Sequence, residues 1–208
     1  KKNGQKGEVI MIIGGKTALI KEQIEDRKNK NAKYVEIHTF KSDFIDLNET
    51  INKKEILKQN QLIAHCVHSP MSNFLNGRSA LTGPSKEERT DNMRLFKESI
   101  KLSNEICDIK NPIVVIHCGG EMPSNVQNKE QHRIKQKEIF QEEVLKLSQF
   151  AQKNYPNVRI GIENVQKFKG ATERCYGYES DFVDWIRKMN LPNVGTVLDI
   201  CHAMITIN

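Results

Sequence analysis

Four apolar runs in this chain end in residues that can bind a metal or move a proton. The run Val194-Gly195-Thr196-Val197-Leu198 meets a carboxylate at Asp199, and an imidazole, His202, follows three residues later. Ile113-Val114-Val115-Ile116 ends at His117, and Arg159-Ile160-Gly161-Ile162 ends at Glu163. Leu62-Ile63-Ala64 leads through His65, Cys66 and Val67 to His68. Short apolar runs of this kind read as buried strands. When several parallel strands each place a His, Asp or Glu at the C-terminal end, the side chains converge on one rim, where barrel enzymes keep their active sites. Imidazole nitrogens and carboxylate oxygens gathered in this way suit a divalent metal. Asp199 stands out, because a carboxylate closing a buried strand is costly unless it is paired or bound to metal.

The elements that must position these groups alternate. Strands are expected at residues 8–13, 34–39, 62–68, 113–117 and 158–162, with a sixth from residue 194 to the Asp199 turn. Helices are expected at 16–30, 47–59, 87–109, 129–154 and 181–189, the last with Ser180 as its N-cap. Alternation with short helix-to-strand links argues for a parallel sheet covered by helices. An open doubly wound sheet concentrates its site at one switch point, whereas ligand-type residues here end four consecutive strands, so the fold expected is a TIM (β/α)8-type barrel. Within it, strand alternation puts His117 on the face of Val115 and Ile113, and Glu163 on the face of Gly161. The chain then reads as one domain over residues 1–208 that covers about the first six strands of a barrel usually about 250 residues long. An open six-stranded sheet would bare its edges, so a stable truncated monomer is not expected.

Composition narrows the class. With 208 residues, 38% hydrophobic and 28% charged, the chain suits one well-buried globular domain. Its longest apolar stretches fall far short of the roughly 18 residues of a membrane span. Five cysteines without a Cys-x-x-Cys spacing fit a reducing, cytoplasmic setting, and Cys66, Cys118 and Cys201 read as small buried hydrophobes. The net charge of +6 is compatible with a nucleic-acid or phosphorylated partner. The lysines are interspersed with glutamates, however, as over 129–146, which describes solvated helix faces. Gly14-Gly15-Lys16-Thr17 imitates the tail of a phosphate-binding loop, but Ile10 stands where that loop needs glycine, and a plain strand-to-helix turn is expected. The polar stretch 72–86 is long enough to be functional or mobile. His65 is expected to pack and His132 to face solvent. His38 is open between lining the rim and packing, and Glu36 between a substrate contact and a salt bridge.

The pieces His68-Ser69-Pro70, Val115-Ile116-His117-Cys118-Gly119, Ile160-Gly161-Ile162-Glu163-Asn164 and Leu198-Asp199-Ile200-Cys201-His202-Ala203 come in the right order with helices between them. Together they resemble the xylose isomerase-like barrel superfamily, which includes sugar isomerases, ketose 3-epimerases and endonuclease IV-type enzymes. The resemblance implies an enzyme holding Mn, Mg, Co or Zn, with Glu163, Asp199, His117 and His202 as metal ligands. It implies a small sugar or sugar phosphate as substrate, with His68, His202 and Glu36 as candidate substrate-binding groups. In the sugar branch Glu163 is also the catalytic acid/base at the carbon beside the carbonyl. Such a carbon yields its proton to a carboxylate only if the product anion is stabilised, which a divalent cation does as a Lewis acid. In the endonuclease IV branch, His68 and His117 become zinc ligands, Glu163 bridges, Asp199 and His202 complete the set, and the substrate is DNA at an abasic site. The Asp-Ile-Cys-His-Ala turn and the basic charge lean towards that branch. The first strand lacks its His and Ser, and Cys-Gly-Gly replaces Pro-Gly after His117, so a sugar isomerase or epimerase is the preferred expectation. The strands beyond the sixth are expected to supply the remaining ligands. A barrel relative without catalysis, binding a small molecule or partner, is the third.

Overall fold

The computed structural model describes residues 14–83, 85–119, 122, 125–165 and 182–207. Six strands pair in chain order and all in parallel: β1 (Gly14–Thr17), β2 (Tyr34–His38), β3 (Ile63–His68), β4 (Ile113–His117), β5 (Arg159–Glu163) and β6 (Val194–Val197). The helices are α1 (Lys21–Asn29), α2 (Leu47–Asn52), α3 (Lys54–Gln59), α4 (Lys86–Ile106), α5 (Lys129–Asn154), α6 (Phe182–Met189) and α7 (Ile200–Ile207), with a 3-10 turn at Lys41–Phe44.

Alternation along the strands divides the sheet into two faces. Val35, Ile37, Ala64, Val67, Val114, Ile116, Ile160 and Ile162 are buried and pack with Ile24, Leu57, Leu95, Phe96, Ile100, Phe140, Val144 and Leu147 of the helices. Fully burying each such aliphatic or aromatic side chain contributes about 1.5–3 kcal/mol. On α4 and α5 these residues recur every three or four positions, so one stripe of each helix lies on the sheet. Side-chain caps start both helices: Ser85 Oγ accepts the Glu88 N–H at 3.1 Å, and Asn128 Oδ1 accepts the Gln131 N–H at 2.9 Å.

The opposite face carries the polar strand ends. Registers align Glu36 with Cys66, His38 with His68, and His117 with Glu163. A register shift between Val35 and Glu36 makes His65 the extra residue of β3, which is why Cys66 and His68 share this face with Glu36 and His38. Gly161 is needed here for space. A Cβ on it would come within 2.5 Å of Val197 Cγ2 and 3.4 Å of Ile113 Cγ2. Gly161→Ala is expected to destabilise the fold by about 1–3 kcal/mol, read as a fall in Tm of roughly 2–4 °C per kcal/mol. An unchanged Tm would show that β6 yields to the methyl group.

Several boundaries differ from expectation. The strand expected at 8–13 lies outside the described residues, as does Ser180. Gly14–Thr17 is a strand paired with β2 rather than a turn. The helix expected over 47–59 is broken at Lys53 into α2 and α3. The stretch after β3 is pinned to α4: Asn73 Nδ2 donates to Asn92 Oδ1 at 2.9 Å, Asn92 Nδ2 to the Ala80 carbonyl at 2.8 Å, and the Phe74 N–H to Asp91 Oδ2 at 2.7 Å. The largest departure is at the end. β6 stops at Val197, two residues before Asp199, and a helix follows where a turn was expected.

Candidate metal centre

His68, His117 and Glu163 close β3, β4 and β5 on the same face, and all three are buried. Glu163 Oε2 lies 3.1 Å from His68 Nε2 and 3.1 Å from His117 Nε2, and the two imidazole rings are 5.0 Å apart between centroids. Burial opposes the ionisation of Glu163, but hydrogen bonds from His117 and His68 outweigh it and hold the carboxyl well below the usual carboxylate range.

The His68 tautomer is fixed by its other contact. Nδ1 is 2.8 Å from the Ser69 carbonyl oxygen, which can only accept, so Nδ1 carries a proton. In the neutral ring Nε2 is then a lone pair aimed at a carboxylate oxygen. That approach is repulsive unless a cation lies between them, either a proton on Nε2 or a metal ion. His202 repeats the pattern, with Nδ1 2.8 Å from the Asn164 carbonyl oxygen, which makes Nε2 its lone-pair nitrogen. Imidazoles tied through one nitrogen to a backbone carbonyl and offering the other are the usual form of metal-binding histidine.

The described residues hold two groups of three in which one ligand atom from each residue lies within 4.8 Å of the others. One is His68, His117 and Glu163; the other is Glu163, Asp199 and His202. Glu163 is common to both. A nitrogen and oxygen donor set of this kind fits a divalent transition metal, zinc included.

The remaining residues fall as follows. Asp199 does not end the strand; it is the N-cap of α7, with Oδ1 accepting the His202 N–H at 2.8 Å. His202 is accordingly in the first helical turn, not in a turn over the rim. Its Nδ1 bonds the Asn164 carbonyl and lies 3.8 Å from Asp199 Oδ2. Cys201 is exposed rather than buried, since the first turn of α7 presents it outward. Glu36 is held by Lys16, with Oε1 3.2 Å from Nζ, and Oε2 accepts from the Cys66 thiol at 3.7 Å, so it lies outside both groups. His132 is half-buried, not solvent-facing, and its Nε2 is shut from solvent without a hydrogen-bond partner. His65 is half-buried and packs beside Cys66.

His38 was open between rim and core, and the structure puts it at the rim, 5.6 Å from the His68 ring and 5.1 Å from that of Phe40. Burial, then the Lys16 and His68 charges, push its imidazole down to about 4. A histidine pKa depressed by folding adds stability above its unfolded value, near 6.5, and that stability is lost as pH falls towards 4. Denaturant midpoints are therefore expected to fall across this window, and His38→Gln to flatten the decline. An equally steep decline in the variant would assign it to other groups.

The profile of the xylose isomerase-like TIM barrel family matches residues 27–208, and the chain belongs to that family. No curated protein matches it. Among solved structures, a D-tagatose 3-epimerase-like protein superposes with a TM-score of 0.70 at 16% identity, covering 92% of this chain and 66% of that one. The 3-keto-D-glucoside 4-epimerase of E. coli gives 0.70 at 15% identity, over 94% and 71%. An AP endonuclease of family 2 from Brucella melitensis gives 0.67 at 16% identity, over 96% and 72%. The chain thus spans about two thirds of the length of these structures, and its six parallel strands form part of a TIM-type barrel. No helix among the described residues is long and apolar enough to cross a membrane.

Proposed function

We propose that the protein is a metal-dependent phosphodiesterase of the endonuclease IV type, cleaving DNA at abasic sites, and that it works in the cytoplasm. The observation that carries this reading is the sharing of Glu163 between two ligand groups, one with His68 and His117, the other with Asp199 and His202. Divalent ions held by His68, His117, Glu163, Asp199 and His202 would supply a water of lowered pKa and Lewis-acid stabilisation of a phosphoryl transfer.

The chain's own residues do the rest. Ser69 and Asn164 fix the tautomers of His68 and His202 through their carbonyls. Glu163, held ionised between two imidazoles, supplies negative charge to both groups. The net charge of +6 favours approach to a polyanion.

A second reading keeps support from the neighbouring structures, several of which are named as sugar epimerases or epimerase-like. In it the chain is a metal-dependent sugar or sugar phosphate isomerase or epimerase, Glu163 and Asp199 hold the metal, Glu163 moves the proton, and His68 contacts substrate.

Both readings meet in one pair of assays. Zinc-loaded protein is expected to nick duplex DNA containing an abasic site, with activity falling steeply between 50 and 200 mM salt, as phosphate contacts require (a drop on the order of tenfold or more). Incubation with ketoses in deuterated water is expected to give no exchange at the carbon beside the carbonyl. Exchange without nicking would overturn the proposal in favour of the sugar reading.

A further inference from the structure

Asn164 follows Glu163 at the end of β5, and every polar group it has is spent on the segment that carries Asp199 and His202. Its backbone N–H donates to the Val197 carbonyl at 3.2 Å, the last rung between β5 and β6. Its side chain then continues the ladder where the backbone no longer does. Oδ1 accepts the Asp199 N–H at 2.6 Å, and Nδ2 donates to the Asp199 carbonyl at 3.0 Å. The orientation of the amide follows from chemistry, because a backbone N–H can only donate and a carbonyl can only accept. The Asn164 carbonyl takes the third contact, from His202 Nδ1 at 2.8 Å.

We infer that Asn164 is a positioning residue for the second ligand group. Its carboxamide stands in for a peptide unit of β5, and so locks the backbone of residue 199 two positions beyond the end of β6. Asp199 has a second task as N-cap of α7, which directs Oδ1 to the His202 N–H. The cap orients the carboxylate and the helix start, while Asn164 fixes how far both lie from Glu163, its own chain neighbour. One residue thereby sets the spacing of all three members of that group. Among the described residues His68 and His117 are bonded to Glu163 and not to Asn164, so Asn164 reaches the first group only through Glu163. Asparagine suits the position because its amide is short and planar: glutamine would carry the amide one methylene too far, and aspartate would face the Asp199 carbonyl with a second acceptor.

This inference rests on the two-site reading, and its test separates the two. Wild type, Asn164→Ala and Asn164→Thr are compared by amide hydrogen exchange in the absence of metal and by titration with Co2+, followed by absorption. In Asn164→Ala the Asp199 amide is expected to exchange at least about tenfold faster. The second Co2+ equivalent is expected to bind about 10–100-fold more weakly, with the first unchanged, the range typical for groups that orient metal ligands. Asn164→Thr keeps a hydroxyl in place of the amide and is expected to fall between the two; it also decides the matter if the alanine variant does not fold. Unchanged exchange at Asp199 in both variants, or equal weakening of both equivalents, would overturn the role of Asn164. Uptake of fewer than two equivalents by the wild type would overturn the two-site reading, while exchange at Asp199 would still decide whether Asn164 holds the segment.

Discussion

Glu163→Gln is expected to leave the fold standing while removing the binding of both metal equivalents. Glutamine keeps the shape of the side chain, but its amide oxygen is neutral and cannot bridge two cations. The glutamine amide keeps a polar partner beside the histidines, since it can donate to the His68 Nε2 lone pair. Metal-free Tm should fall at neutral pH by the stability that the ionised carboxylate contributes there. The stabilisation that ligands confer should disappear: wild type gains about 2.7 kcal/mol at a metal concentration 100 times Kd, and the variant gains none. Activity should fall at least about 1000-fold, since the lost charge stabilisation amounts to several kcal/mol. Acid behaviour supplies an independent check. The folded-state pKa of Glu163 lies below its ordinary value of 4.5, so its contribution to stability is present above that value and is lost as pH falls. The variant should lose less stability on acidification. A variant that takes up both equivalents with wild-type affinity would remove Glu163 from the centre.

Much of this centre was legible before any coordinates. Period-two alternation put His117 on the face of Val115, and the observed register sets it directly opposite Glu163. The apolar runs marked β4 correctly to the residue and β3 to within one, because a strand buried by helices on its outer face leaves an uninterrupted hydrophobic signal. What alternation could not supply was the end of β6. Ile200, Cys201, Met204 and Ile205 are as apolar as a strand, and a carboxylate within such a run reads first as a chemical group. A carboxylate before such a run is also an N-cap signal, and the Asp199 side chain serves that purpose too. Asn164 was missed for a related reason. Side-chain amides that complete a backbone ladder have no period, and only the carbonyl and N–H of residue 199 in space disclose them. Glu36, open in the sequence between a substrate contact and a salt bridge, forms the salt bridge. It shares the polar face, but two residues deeper than His38, where Lys16 from β1 meets it first.

His68→Gln separates the two functional readings, because they use His68 differently. In the phosphodiesterase reading His68 belongs to the first ligand group, so the variant should bind one metal equivalent instead of two. Nicking at abasic sites should fall about 1000-fold, a loss of roughly 4 kcal/mol of transition-state stabilisation. In the sugar reading the metal sits on Glu163 and Asp199, and His68 contacts substrate. The variant would then keep its metal and show mainly a raised KM, the sign of lost binding common to ground and transition states. The carboxyl of Glu163 sharpens the contrast. Two imidazoles now hold its pKa down, and removing one lets it rise towards the ordinary carboxylate range. A more basic Glu163 would be a better proton acceptor and a slightly better ligand for the second group. Proton exchange on a ketose would therefore be preserved or quickened in His68→Gln, whereas phosphodiester cleavage would be lost with the first equivalent. Nicking retained at the wild-type rate with both equivalents bound would exclude His68 as a ligand and leave the buried histidine pair to a structural role.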